Sequence, residues 1–275
     1  MPGPALSPRR AWLARAALAY LAALVLLALL APWLAPADPA SQDLGQILRP
    51  PSIAHWMGTD DLGRDVLSRM LYGGRVSLGV GTLAVALSAL IGIGLGALAG
   101  GLGGWVDALI MRGVDVLLCM PTLFLVLTLI VFLGPGIFNV VLVIALTGWT
   151  DMARLVRAEI LSLREREFAL AARAAGATPL SVIRRHLLPN AMGPVYVAVT
   201  FGVSGAILME SGLSFLGLGV QPPTASWGSI LSAGRDYISN GWWLILFPSL
   251  AICSTMLAIY LAGDWVRAAS DPKRQ

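Results

Sequence analysis

Six long apolar runs, at residues 16–34, 76–102, 105–133, 138–156, 191–216 and 242–266, govern what this chain can fold into. Helical residues rise about 1.5 Å each, so runs of this length reach across the ~30 Å hydrocarbon core of a bilayer. Inside lipid every backbone polar group must bond within the chain, and for runs this long and this uniformly apolar the α-helix satisfies that demand. The expected fold is therefore all-α, a polytopic membrane protein with six transmembrane helices. Charged residues make up 12% of the 275 residues, about half of what soluble domains carry.

The cations assign sides to the loops. Arg9, Arg10, Arg15, Arg154, Arg157, Arg164, Arg166, Arg173, Arg184, Arg185, Arg267, Lys273 and Arg274 flank the runs on one side, thirteen in all, against Arg49, Arg64, Arg69, Arg75 and Arg235 on the other. Positively charged loops stay in the cytoplasm. Both termini (1–15 and 267–275) and the loop at 157–190 are thus expected inside, with 35–75 outside. Once that bias is counted, the net charge of +4 and pI near 9.5 call for no nucleic-acid partner. Ala35 and Ala37 are spaced like a signal-peptide cleavage site, but the run before them has 19 residues, beyond the roughly 7–15 of a signal peptide's apolar region. It is read as a retained first span, with Trp33 at the outer interface.

The outer segment sets Asp38, Asp43, Asp60, Asp61 and Asp65 against Arg49, Arg64, Arg69 and Arg75, and is expected to lie partly as a surface helix. Asp60 or Asp61 with His55 could make a metal or acid–base site; a solvated salt-bridge cluster with Arg64 and Arg69 is the simpler reading. In the five-helix core, 76–266, Gly92, Gly96, Gly100 and Gly104 recur every four residues, so one helix face lacks side chains and admits a close neighbour. The third run carries Asp107, Arg112 and Asp115, the last two placed to pair at i, i+3, and Pro121 is expected to bend it. Asp115, and Glu210 near the outer end of the fifth run, are the ionisable candidates for a translocation path. Headgroup contact for the first, and the interface or a neighbouring hydroxyl for the second, are the alternatives. Cys119 and Cys253 fall inside apolar runs and are expected to be buried small hydrophobes rather than a disulfide or a metal pair.

One polar insert stands apart: SLREREFALAARAAGATPLSVIRRHLLPN, residues 162–190. Good helix formers run from 162 to 175 and stop at Gly176, suited to a left-handed cap. Thr178 then offers an N-cap and Pro179 a first helical position, so a second helix should reach Leu187 and end at Pro189. Ala172, Gly176 and Val182 also fit the spacing of a DNA-binding helix-turn-helix, but no soluble domain surrounds them. An amphipathic interfacial linker and a docking element for a cytoplasmic partner remain.

Ala171, Ala172, Gly176, Leu188 and Pro189 are spaced as in the EAA loop of bacterial ABC-importer permeases, which the insert resembles. Leu170 stands where that family carries Glu, and His186 where many members carry Ile; Glu165 and Glu167 lie nearby. Two further stretches, HWMGTDDLGRDVLSRMLYGGRVSL (55–78) and ESGLSFLGLGVQPPTASWGSIL (210–231), are similar to the dipeptide, oligopeptide and nickel branch, in the second-permease type. The resemblance implies a bacterial inner-membrane permease whose 157–190 loop couples to ATPase subunits through Glu167, Phe168, Ala171, Ala172, Arg173, Gly176, Ala177, Leu188 and Pro189. It also implies a second permease, two cytoplasmic ATPases that bind ATP and Mg, an extracytoplasmic binding protein, and a peptide, nickel or other small solute as cargo.

Enzymatic readings have little to stand on. Lys273 is the only lysine and no Gly-rich loop precedes it, so no phosphate cradle is expected. Gly212-Leu213-Ser214 suggests an intramembrane serine protease, yet His55 and His186 are in loops on opposite sides, and such a serine needs a base in the membrane. No His/Cys spacing predicts a metal site. A non-transporting membrane assembly factor is the remaining non-enzymatic alternative.

Overall fold

The computed structural model describes residues 8–269. Lys273 and Arg274, and the side chains of Arg9 and Arg10, lie outside that description. The helices, in order, are α1 (Pro8–Leu29), α2 (Ala31–Leu34), α3 (Val66–Leu102), α4 (Gly104–Leu118), α5 (Thr122–Leu133), α6 (Ile137–Leu163), α7 (Glu167–Ala174), α8 (Pro179–Val182), α9 (Leu188–Phe215), α10 (Trp227–Gly234) and α11 (Trp243–Ala269). Among the described residues five helices are long and apolar enough to cross a membrane, six if α4 and α5 count as one broken span.

That break corrects the expected third span. α4 and α5 meet at 88°, so Pro121 marks a corner rather than a bend. Neither piece, at about 22 Å and 18 Å, reaches across a bilayer alone. The expected Arg112–Asp115 pair is also absent among the described residues; Asp107 instead ties α4 to α6 by accepting from Arg157, with Nη2 to Oδ2 at 2.7 Å.

The centre of the bundle is α3 lying along α6. A Cβ on Gly96 would meet the Ala153 carbonyl oxygen at 2.5 Å, and one on Gly92 or Gly100 would press on Met152 or Ile160. The missing side chains bring the two backbones together. Gly104 does not share that role: it has open space around it and a φ of +57°, and it opens α4. On the outer flank α1 leans on α11, where Tyr20 Oη lies 2.5 Å from Ser254 Oγ.

α3 starts ten residues before the expected span, capped by Asp65, whose Oδ2 accepts from the Ser68 N–H and hydroxyl at 2.8 Å. Its first turns are buried, with Val66 and Ser68 at 0% exposure, so no surface helix forms here. The charge cluster is likewise enclosed rather than solvated. Asp60 accepts from Arg64 Nε at 2.7 Å and lies 3.3 Å from Arg69 Nε, and all three residues are under a tenth exposed. His55 bonds elsewhere, to Asp65 (3.0 Å) and Gln46 (2.8 Å). Trp243 Nε1 donates to the Thr59 carbonyl, so the outer segment is stitched onto the ends of α3 and α11. Those helix ends bury charges that the local sequence alone presents as loop residues.

Candidate functional site

The insert forms an elbow, but with different bounds from those expected. Ser162 and Leu163 finish α6, a turn at 164–166 follows, and α7 starts only at Glu167. α7 ends as the glycine required: Gly176 has φ +83°, its N–H donates to the Arg173 carbonyl, and the Ala177 N–H donates to that of Ala172. These two bonds make a Schellman turn and satisfy carbonyls the helix end would leave bare. Thr178 Oγ1 accepts from the Ser181 N–H and Pro179 takes the first helical position.

Pro189 does not end the second helix. The residues Ile183–Leu187 form a π-turn, in which the Leu188 N–H reaches the Ile183 carbonyl, and the chain runs on into α9. The wider turn accommodates a proline ring that would collide with the carbonyl four residues back in an ordinary α-turn. The result is one apolar helix of 37 residues, Pro179–Phe215. At 1.5 Å per residue it is a rod of about 55 Å with the elbow at its end.

The elbow has two faces. Ala169 is fully buried, and Val182, Ile183 and Leu187 pack with it beneath Val156 and Ile160 of α6, with Ala172, Ala177 and Leu188 partly covered against them. Arg173, one turn beyond Ala169, is exposed and lines the cavity between the end of α3 and the π-turn. Glu167, Phe168, Ala171, Gly176 and Pro189 are exposed. So are Leu170 and Leu180, at 51% and 61%, and the sequence reading did not single them out as contact residues. Two leucines left bare on a polar loop were the available signal.

Glu210 is not on a water-filled path. It is 0% exposed, and its oxygens accept from Ser77 on α3 (2.9 Å) and Ser214 on its own helix (2.8 Å). The Trp227 N–H donates to Ser77 Oγ, and the Val220 N–H to Ser214 Oγ. Of its two alternatives, the neighbouring hydroxyl holds. One carboxyl group thus ties α3, α9 and the buried cap of α10 together. Glu210→Ala strands these hydroxyls in a closed site and is expected to destabilise the protein by about 2–4 kcal/mol. Thermal unfolding of the purified protein reads this; an unchanged midpoint would show the tie to be dispensable.

Asp115 is exposed on α4 and is not among the residues lining the groove. That groove, a cavity of about 470 Å³ between α3, α6, α9 and the start of α5, is walled by small and apolar side chains, with Ser88, Thr122, Thr147 and Asp151 as its polar groups. Asp151 was missed in the sequence. It lies within the fourth apolar run, where an ionisable residue is itself a signal that an average hydropathy hides.

Three comparisons bear on this architecture. Residues 92–275 match the family described as binding-protein-dependent transport system inner membrane component, and residues 9–51 match the N-terminal TM domain of oligopeptide transport permease C. The dipeptide transport system permease protein DppC of Bacillus subtilis is 44% identical over 95% of this chain and 82% of its own length. The probable D,D-dipeptide transport system permease protein DdpC of Escherichia coli is 42% identical over 91% of this chain and 84% of its own. The oligopeptide transport system permease protein OppC of Bacillus subtilis is 40% identical over 95% and 86%. Among solved structures, an inward-facing conformation of the MetNI methionine ABC transporter superposes with a TM-score of 0.62 at 19% identity, covering 75% of this chain and 98% of that one. At that identity the likeness speaks for the fold alone. With the matched family profile spanning two thirds of the sequence and relatives at 40% identity or more along nearly all of it, the chain belongs to the binding-protein-dependent transport system inner membrane components, as a permease subunit and not an enzyme.

Proposed function

We propose that this permease is one of two in an ATP-driven peptide importer, oriented with both termini and the elbow in the cytoplasm. Its partners are a second, related permease, two ATPase subunits that bind ATP and Mg²⁺, and an extracytoplasmic binding protein that delivers a dipeptide or oligopeptide. Support for the cargo comes from the relatives, named for dipeptide and oligopeptide transport. Support for the orientation comes from the cations.

The observation that carries the mechanism is the continuity of elbow and rod. Glu167, Phe168 and Ala171, with Leu170 and Leu180, present the surface for the ATPase; Ala172, Gly176, Ala177, Leu188 and Pro189 shape the elbow that bears it. When ATP closes the ATPases, α7 moves and the fixed turn at Gly176 passes the motion into the rod. The rod's far end is tied by Glu210 to Ser77, so it pivots there. The wall it moves is that of the groove shared with α3 and α6, which opens to alternate sides.

Nickel is the weaker cargo. Hydroxyls and a single carboxylate line the groove, a set that suits the amides and ammonium of a peptide better than a cation that favours imidazole and other nitrogen ligands. Purification of the chain with its neighbours, followed by identification of the ligand on the cognate binding protein, tests both parts. A permease recovered without ATPases points to the assembly-factor reading, and a binding protein loaded only with metal overturns the peptide assignment.

A further inference from the structure

Behind the elbow, away from the surface proposed for the ATPase, lies a cavity of about 460 Å³ between the end of α3, the turn after α6 and the π-turn. That size falls in the range of about 300–1,000 Å³ that holds small molecules. Its floor is apolar, made by Leu102, Val182, Ile183 and Leu187, and its rim carries Arg164 and Arg173 with Glu165. Arg164 Nη2 stands 3.8 Å from Glu165 Oε1, and the Glu165 side chain is 79% exposed, so the acid is a loose partner. The Arg173 side chain has no ion-pair or hydrogen-bond partner among the described residues. The rim therefore keeps an excess of positive charge.

The level of the cavity is marked by its neighbours. Arg164 Nη1 reaches the corner at Gly103, 3.5 Å from where a Cβ would sit. Two residues on, Trp105 is 76% exposed at the start of α4, the position of an aromatic anchor at the bilayer surface. A cationic rim above an apolar floor, at headgroup depth, asks for an occupant that is itself anionic at one end and apolar at the other. A carboxylate from a docked protein, or a free phosphate ion, meets the rim and leaves the floor bare.

We propose that this cavity binds the headgroup of an anionic phospholipid, with the phosphodiester between Arg164 and Arg173 and the glycerol and first acyl carbons over Leu102 and Ile183. Guanidinium groups hold phosphate through paired, charge-assisted hydrogen bonds, and basic pockets at helix ends on this side of a membrane suit acidic headgroups. A lipid seated there bridges the end of α3 to Arg173 of α7 and props the elbow, so the acidity of the inner leaflet sets how firmly the elbow is held.

The test uses the purified, delipidated complex with its second permease and ATPases, supplied with phosphatidylglycerol, phosphatidylcholine or inorganic phosphate. Thermal midpoint and lipid retained in native mass spectrometry are the readouts, both independent of transport, so failure here leaves the proposed function standing. Phosphatidylglycerol is expected to raise the midpoint while the other two do not. The Arg164→Gln/Arg173→Gln double variant is expected to lose that rise and retain phosphatidylglycerol about tenfold less tightly. Arg164→Lys/Arg173→Lys should keep most of the rise, separating charge from folding. Equal stabilisation by phosphatidylcholine, or an undiminished phosphatidylglycerol effect in the Gln variant, overturns the site. A response to phosphate alone assigns the rim to a free anion and overturns the lipid. Loss of the ATPases from the Gln variant without any lipid effect gives the rim to the partner and overturns it as well.

Discussion

Gly176→Pro is expected to abolish peptide uptake while leaving the protein in the membrane and its helices packed. The glycine sits at φ +83° with nothing within 4 Å of a would-be Cβ, so the defect is one of backbone conformation and not of crowding. Proline holds φ near −65° and cannot enter the left-handed region. It also deletes the N–H that bonds the Arg173 carbonyl at 2.9 Å, and it disfavours the helical geometry of Ala175 before it, now at φ −77° and ψ 6°. A penalty of about 3 kcal/mol or more depopulates the elbow about a hundredfold, at roughly 1.4 kcal/mol per factor of ten. Gly176→Ala carries only the left-handed penalty, about 1–2 kcal/mol, and should retain partial uptake. Labelled-peptide uptake, normalised to the amount of permease in the membrane, distinguishes the three proteins. Normal uptake by the proline variant would remove the elbow from the mechanism.

That glycine is legible in the sequence because its reason is local: a helix of good formers needs a left-handed cap where a polar turn follows. The spans are legible for a similar reason, since length and apolarity are properties of each run alone. What escapes such reading depends on contacts between distant parts of the chain. Asp60, Arg64 and Arg69 look like a solvated cluster because their balancing charges are sequence neighbours, but the ends of α3 and α11 enclose them. Pro189 looks like a helix terminator because an α-turn rejects it; a π-turn does not, and nothing in the composition announces one extra residue in a turn. Which side chains of α7 are free is likewise set by the burial of Ala169, a contact with α6 that the local sequence does not announce. The surroundings of the membrane carboxylates escape the sequence for a related reason. A carboxylate in a helix signals unusual surroundings, but only packing tells a hydroxyl cage, as at Glu210, from an open groove wall, as at Asp151.

The roll of α7 also sharpens the second prediction, that Phe168→Glu detaches or uncouples the ATPases without harming the permease itself. Phe168 is 38% exposed in the free chain, so a carboxylate there remains in water and costs the isolated protein little. In the complex the same side chain is the largest apolar group on the exposed face of the elbow, flanked by the bare leucines 170 and 180. Aromatic anchors at the middle of an interface typically contribute about 2 kcal/mol or more. A carboxylate at a contact closed from water adds its own desolvation cost. Affinity for the ATPases should fall at least about thirtyfold, by the conversion of roughly 1.4 kcal/mol per decade. Phe168→Leu, which keeps an apolar side chain of reduced area, should lose far less. Pull-down of the complex through the permease, paired with ATPase activity measured with and without loaded binding protein, separates detachment from uncoupling. Recovery of an intact complex whose ATPase activity still rises with loaded binding protein would place the motor's grip elsewhere on the loop, and the exposed face of α7 would then be facing something other than the ATPase.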